Sequence, residues 1–287
     1  MTDEELSKQY HSLRIYDGTY STKTTSYTVG GETTRVKRKI WKYYDTWIDF
    51  HLIPLARPTL PVPSPNAKLV AVPGRTDPID LTTYLTGSVT YKNRTGSIQF
   101  ATDVDFVEEK LGGWVEFDKK LNSLFHGKVV RFCLQDDPAW FYAGYIQVAQ
   151  WQTGQSFSTV TLNYDVYPFK KDMNCSVEMW LWDSFSFDDG IICYLNNITV
   201  DGSFDATVIG STEKIAPRFA ATNTDSASPM IVYKYENKKW VSYGNVPTSS
   251  ITSKSAIIPR LIIDNGVNKL RFKGNGTVTM DYRRGML

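Results

Sequence analysis

The chain has 287 residues, 41% of them apolar and 22% charged, with a net charge of +2; that is an ordinary globular composition, with room for two domains or one large β domain. Near-neutral charge argues against a protein whose main business is covering DNA or anionic lipid, and no apolar run approaches the roughly 20 residues that span a bilayer. Aromatics at 14%, with 8 Trp, 17 Tyr and 19 Gly, favour strands and turns over helices.

The N-terminus, Met1 to Gln9, is polar and acidic, so no signal peptide is expected. Thr2-Asp3-Glu4-Glu5 reads as a capping box ahead of a helical face of Leu6, Tyr10 and Leu13. The residues alone leave open whether this is a docking helix or a frayed arm. Residues 24–44 alternate around Gly30-Gly31 and predict a hairpin, whose second arm carries the basic run Arg35 to Lys39, read as a solvated face.

Seven prolines then crowd between Pro54 and Pro78. Each removes a backbone donor and fixes φ, so this stretch is neither helix interior nor central strand. Yet Trp47, Ile48, Phe50, Leu52, Ile53, Leu55, Leu69, Val70 and Val72 are interleaved with them, at a density too apolar for a free linker. Next, Val89 and Tyr91 are expected to face Ile98 and Phe100 across an Asn93–Gly96 turn. The period then changes: Trp114, Phe117, Leu121, Leu124 and Phe125 recur at helical spacing, with Gly127 as the stop. Val130, Phe132 and Leu134 predict a strand, Asp136-Asp137-Pro138 a turn, and residues 140–151 an aromatic strand. After a turn at Thr153-Gly154-Gln155, Val160, Leu162, Tyr164 and Val166 alternate with polar residues.

Pro168 to Asp172 is polar and turn-forming, a domain boundary by composition. The expected fold is mainly β: an N-terminal α+β domain, residues 1–172, with an antiparallel sheet and one helix, then an all-β sandwich, residues 173–287. Its strands are expected near 177–182, 191–200, 204–209, 230–235, 239–243 and 257–263. A closing hairpin is expected from Lys269–Lys273, a Gly274-Asn275-Gly276 turn and Thr277–Tyr282.

No catalytic, metal or cofactor constellation emerges. His11, His51 and His126 lack partners at metal-ligand spacing, and no phosphate loop or nucleophile elbow is present. The pairs Asp103/Asp105, Asp136/Asp137 and Asp188/Asp189 read as turn formers. Cys133, Cys175 and Cys193 fit free thiols. Asn-x-Ser/Thr at Asn93, Asn174, Asn197 and Asn275 is read as turn chemistry. Among aromatics, Trp180 and Trp182 are expected in the core, while Trp240 and Tyr243, beside Gly244-Asn245, are candidates for a glycan or partner surface.

The run Trp47-x-Asp49-x-His51-Leu52-x-Pro54, then Arg57-Pro58, a Pro-rich spacer, Val70-x-x-Pro73-Gly74 and Asp80-Leu81-Thr82, resembles the N-terminal signature of siphophage distal tail proteins, the baseplate-hub or Dit family. Thr90–Gly96, Phe125–Lys128, Asp136–Gly144, Asn163–Pro168 and Thr277–Gly285 are similar to that family's later segments, in order; the first 40 residues match it less. The resemblance implies a ring-forming N-terminal domain, typically hexameric, bearing a galectin-like sandwich. Such a ring sits at the virion tail tip after synthesis in the bacterial host cytoplasm. It would join the tail tube protein to the tail-tip or tail-associated protein, anchor receptor-binding proteins, and need no membrane, cofactor or catalysis. Trp47, Phe50, Pro58, Pro61 and Pro63 are the expected assembly segment. Two other readings stand beside it: a carbohydrate-binding module for host glycan, and a glycoside hydrolase, which needs a cleft with paired carboxylates.

Overall fold

The computed structural model describes residues 2–29, 32–84, 87–152, 154, 157–178, 193–223 and 228–287. It divides into two compact units, Met1–Lys23 with Lys39–Lys170 and Leu287, and Lys171–Met286 with Thr24–Arg38.

The first unit opens with α1 (Asp3–Gln9), whose capping box forms as expected: Thr2 accepts from the Glu5 amide and Glu5 accepts from the Thr2 amide. Two long strands follow, β1 (Leu13–Val29) and β2 (Glu32–Asp45), where the hairpin was expected. Gly30-Gly31 and the side chains of the basic run Arg35 to Lys39 lie outside the described residues. Short strands β3 (Ile53–Pro54), β4 (Leu69–Val70) and β5 (Ile79–Asp80) precede β6 (Arg94–Asp103). Then come α2 (Val104–Lys110), α3 (Trp114–Phe125), β7 (Val129–Leu134), β8 (Trp140–Gln152) and β9 (Phe157–Val166). The main sheet runs β2-β1-β7-β8-β9-β6-β3, with β1–β7, β7–β8, β8–β9, β9–β6 and β6–β3 paired antiparallel.

The helix stripe packs on this sheet. Phe117, Leu121 and Phe125 are buried against Ile15, Phe132, Ile146, Val160 and Phe100, with Trp114 and Leu124 partly buried at the margin. Val160, Leu162, Tyr164 and Val166 are all buried, as their alternation predicts, because successive strand residues point to opposite faces. Trp151 Nε1 donates to Asp118 at 2.7 Å, giving its half-buried indole a partner on α3. The structure adds α2 ahead of the expected helix α3; Asp103 caps it by accepting from the Asp105 amide.

The expected turn at Asn93–Gly96 is not there. β6 starts at Arg94 and runs straight along β9, from Arg94 opposite Val166 to Asp103 opposite Phe157. The reason is the buried Arg94 side chain, which donates to the carbonyls of Pro168 (2.7 Å) and Pro61 (3.0 Å) and so cannot sit at a solvated loop tip. Tyr91 instead bridges Pro65.

The second unit takes β10 (Lys170–Asp172), β11 (Ile198–Gly210), β12 (Arg218–Asn223), β13 (Ile231–Glu236), β14 (Lys239–Asn245), β15 (Gly266–Asp281) and β16 (Gly285–Met286). β10 pairs with β16; β11, β15, β13 and β14 lie side by side in one antiparallel sheet, with β12 along the far half of β15. Its inner face buries Val208, Phe219, Val232, Leu270, Phe272 and Val278. The expected strand 177–182 falls largely outside the described residues, as do Trp180, Trp182, Asp188 and Asp189, and Thr153 and Gln155 of the turn after β8.

Three expectations change here. The strands placed at 191–200 and 204–209 run together as one, β11, which starts only at Ile198; residues 193–197 are not strand, and 191–192 lie outside the described residues. Residues 257–263 form no strand; only Ile257 and Ile263 make isolated bridges, while Ile258, Leu261 and Ile263 turn into the core. The closing hairpin is likewise a single strand: β15 passes through Gly274-Asn275-Gly276 without turning, in register with β11 from Gly266 opposite Gly210 to Val278 opposite Ile198. Gly274 and Gly276 have φ of 138° and 137°, which bends the strand without reversing it. At Gly274 an added Cβ would stand 3.0 Å from the Cα of Met230, so the core also closes on that backbone. Thr277–Asp281 thus pairs within the second unit, with β11 and β12.

Candidate functional site

The proline-dense region divides into a buried root and an exposed arm. In the root, Phe50 is fully buried, 6.1 Å from Phe117 and 6.0 Å from Phe125 between ring centroids. Pro58 and Pro63 are buried, and Pro61 is exposed while its carbonyl accepts from Arg94. Trp47 is half-buried, tilted on Tyr10 at 4.5 Å and stacked on His51 at 4.4 Å. His51 has its other neighbour in Phe106, stacked at 3.5 Å. Of the five expected assembly residues, then, Phe50, Pro58 and Pro63 are spent within the chain.

The arm is a two-stranded ribbon. Lys92 N donates to Ser64 O, Pro65 bridges Tyr91, and Asn66 N donates to Thr90 O at 2.8 Å. Further out, Leu81 N donates to Lys68 O, Leu69 pairs Asp80, and Val70 pairs Ile79. Every residue from Ser64 to Asp80 is exposed, including Leu69 (59%) and Ile79 (38%), and Tyr84 beyond them is 80% exposed. Missing backbone donors explain why this ribbon joins no larger sheet: prolines at 65, 73 and 78 break any continuous ladder. The sequence marked the segment but not which of its apolar residues remain outside.

Of the acidic pairs, Asp103/Asp105 and Asp136/Asp137 lie among the described residues, and both serve local structure. Asp136 receives His11 Nδ1 and Arg57 Nε, each at 2.8 Å, tying the end of α1 and the root to the β7–β8 turn. Burial works against its charge, but the hydrogen bonds from His11 and Arg57 outweigh that and hold the carboxyl below its ordinary value. A depressed folded-state value stabilises the fold above the unfolded carboxyl range, and this is lost as pH falls through the folded value. Asp136→Asn is therefore expected to lower the urea midpoint at pH 7, by a deficit that shrinks as pH falls into the acid range; a deficit that stays constant with falling pH would rule out the carboxylate as cause. Asp137 receives Lys170 Nζ at 2.6 Å. Among the described residues no cluster of three or more His, Cys, Asp or Glu could hold a metal ion. No helix among them is long and apolar enough to cross a membrane. Burial pushes the Cys133 thiol up to about 11 and raises Cys175 and Cys193 as well.

Trp240 and Tyr243 lie on opposite sides of β14. Opposite Val232–Tyr233 the register slips, leaving Tyr243 as the extra residue of a β-bulge. Tyr243 packs on the second core and donates to Glu236 Oε2 at 2.9 Å; burial and that carboxylate push its phenol up to about 12. Glu236 and Asp264 both meet the buried Lys234, at 3.1 and 2.7 Å. Trp240 faces outward under the Arg271 guanidinium, 4.2 Å from the ring centroid, with Tyr235 edge-on at 5.3 Å. Tyr233, Tyr235 and Arg271 escaped the sequence reading, since only strand pairing places them beside Trp240.

No protein-family profile and no curated protein matches the chain. Among solved structures it is similar to the crystal structure of the SPP1 Dit (gp 19.1) protein, described as a paradigm of the hub adsorption apparatus in phages infecting Gram-positive hosts. Identity is 12%, with 95% of this chain and 98% of that one covered, at a TM-score of 0.49.

Proposed function

We propose that this chain is a structural distal tail protein of a siphophage or prophage, a baseplate hub that closes into a hexameric ring through residues 1–172. Residues 173–287 form the galectin-like sandwich of that hub. The ring joins the tail tube to the tail tip, seats tail-associated and receptor-binding proteins, and carries out no catalysis. The ordered sequence resemblance supports the family reading, and the exposed arm is the observation that carries self-assembly. A lone two-stranded ribbon is marginal in water, and one that also exposes Leu69, Val70, Val72, Ile79 and Tyr84 gains stability by burying them on another molecule. An arm that meets a different surface on the next copy makes a heterologous contact, and such contacts close into rings when the rotation permits.

Light scattering and negative-stain imaging of the full chain test this. A closed ring with an open lumen is expected; a monomer at high protein concentration, in both low and moderate salt, would overturn it.

A further inference from the structure

The outer face of the second unit's sheet presents a column of cations between carboxylate and aromatic flanks. On β15, Lys269, Arg271 and Lys273 alternate with buried Leu270 and Phe272, so all three point outward, about 7 Å apart along the strand. Arg271 is fixed from both sides: Asp205 on β11 takes its Nε and Nη2 at 2.6 and 2.7 Å, and Trp240 lies beneath its guanidinium. Lys273 Nζ stands 5.3 Å from the Tyr233 ring. Lys269 and Lys273 are exposed and meet no carboxylate among the described residues. Asp205 balances Arg271 and Asp201, exposed on the same side of β11 opposite Asn275, offsets one lysine, so the two strands' outer face keeps a net positive charge from the other.

We propose that this face binds an anionic polysaccharide. The Lys269 and Lys273 ammonium groups, four residues and about 13 Å apart along the strand, complement acidic groups along a polymer. Tyr235, 42% exposed and braced edge-on by Trp240, supplies the apolar wall for a sugar ring. Single-stranded nucleic acid is disfavoured because it needs a row of free ring faces for successive bases, and cations already lie over Trp240 and Tyr233. Tyr243 takes no part, since it faces the core.

The test uses the full-length protein in calorimetric titrations with polygalacturonate fragments, the same fragments fully methyl-esterified, and oligothymidylate. Expected is salt-sensitive binding of polygalacturonate, at least tenfold weaker for the esterified polymer. The Lys269→Glu/Lys273→Glu pair should weaken it at least tenfold and Tyr235→Ser about fivefold, each variant keeping the circular dichroism and particle mass of the unaltered chain. No binding of polygalacturonate, unchanged affinity in either variant, or oligothymidylate binding as tightly would overturn the proposal. Because particle mass is read separately, failure here leaves the ring reading standing, and the reverse also holds.

Discussion

A chain carrying Leu69→Asp and Ile79→Asp is expected to scatter light as a monomer under conditions where the unaltered chain gives the proposed ring. Both residues lie on the ribbon and are exposed within a single chain, so neither change removes a core contact. Burying one such side chain contributes roughly 1.5–3 kcal/mol, and a carboxylate forced into the same contact must also be desolvated. Two substitutions therefore remove on the order of 5 kcal/mol per interface, about a thousandfold or more in association. Unchanged circular dichroism with a monomeric mass is the expected outcome. A full-size ring would mean that the arm's apolar residues are not what holds copies together.

The second large effect is expected at Asp172. Its carboxylate is 5% exposed and receives Arg284 Nε at 2.9 Å and Arg284 Nη2, while Arg284 is itself 8% exposed. The Asp172 amide donates to the Arg284 carbonyl at 3.0 Å, so this ion pair fastens β10 to the end of the chain. Breaking a buried pair from one side leaves an uncompensated charge and costs about 3–5 kcal/mol. For Asp172→Ala, calorimetry should find one thermal transition lowered by about 10 °C or more, with the transition of the first unit little moved. The Asp172→Leu/Arg284→Met double change should recover much of the loss, because two apolar groups leave no buried charge behind. A double variant as unstable as the single one would show that backbone pairing, and not the ion pair, was at fault.

Much of the first unit can be read from local pattern. The period of α3, the alternation of β9 and the capping box before α1 depend on residues within a few positions of one another, and each forms as expected. The failures share a cause. Asn93–Gly96 and Gly274-Asn275-Gly276 have the composition of turns, yet both lie inside paired strands. A reversal there would strand the buried Arg94 in one case and break the β11–β15 ladder in the other. The candidate surface divides by strand alternation: Trp240 and Tyr243 stand three positions apart on β14, so Tyr243 lies against the core and Trp240 outside, and only pairing with a distant strand brings Arg271 over Trp240.

By itself, then, the sequence determined the mainly β class, the helix stripe that packs on the sheet and the anomalous proline segment, because periodicity and proline act through the local backbone. Only the tertiary structure decided which glycines bend a strand instead of reversing it, which of the segment's apolar residues are spent in the core and which stay on the arm, and which strands lie beside Trp240. Those outcomes depend on pairing between residues far apart in the chain, where a local signal is outweighed by a full ladder of hydrogen bonds and a buried core face.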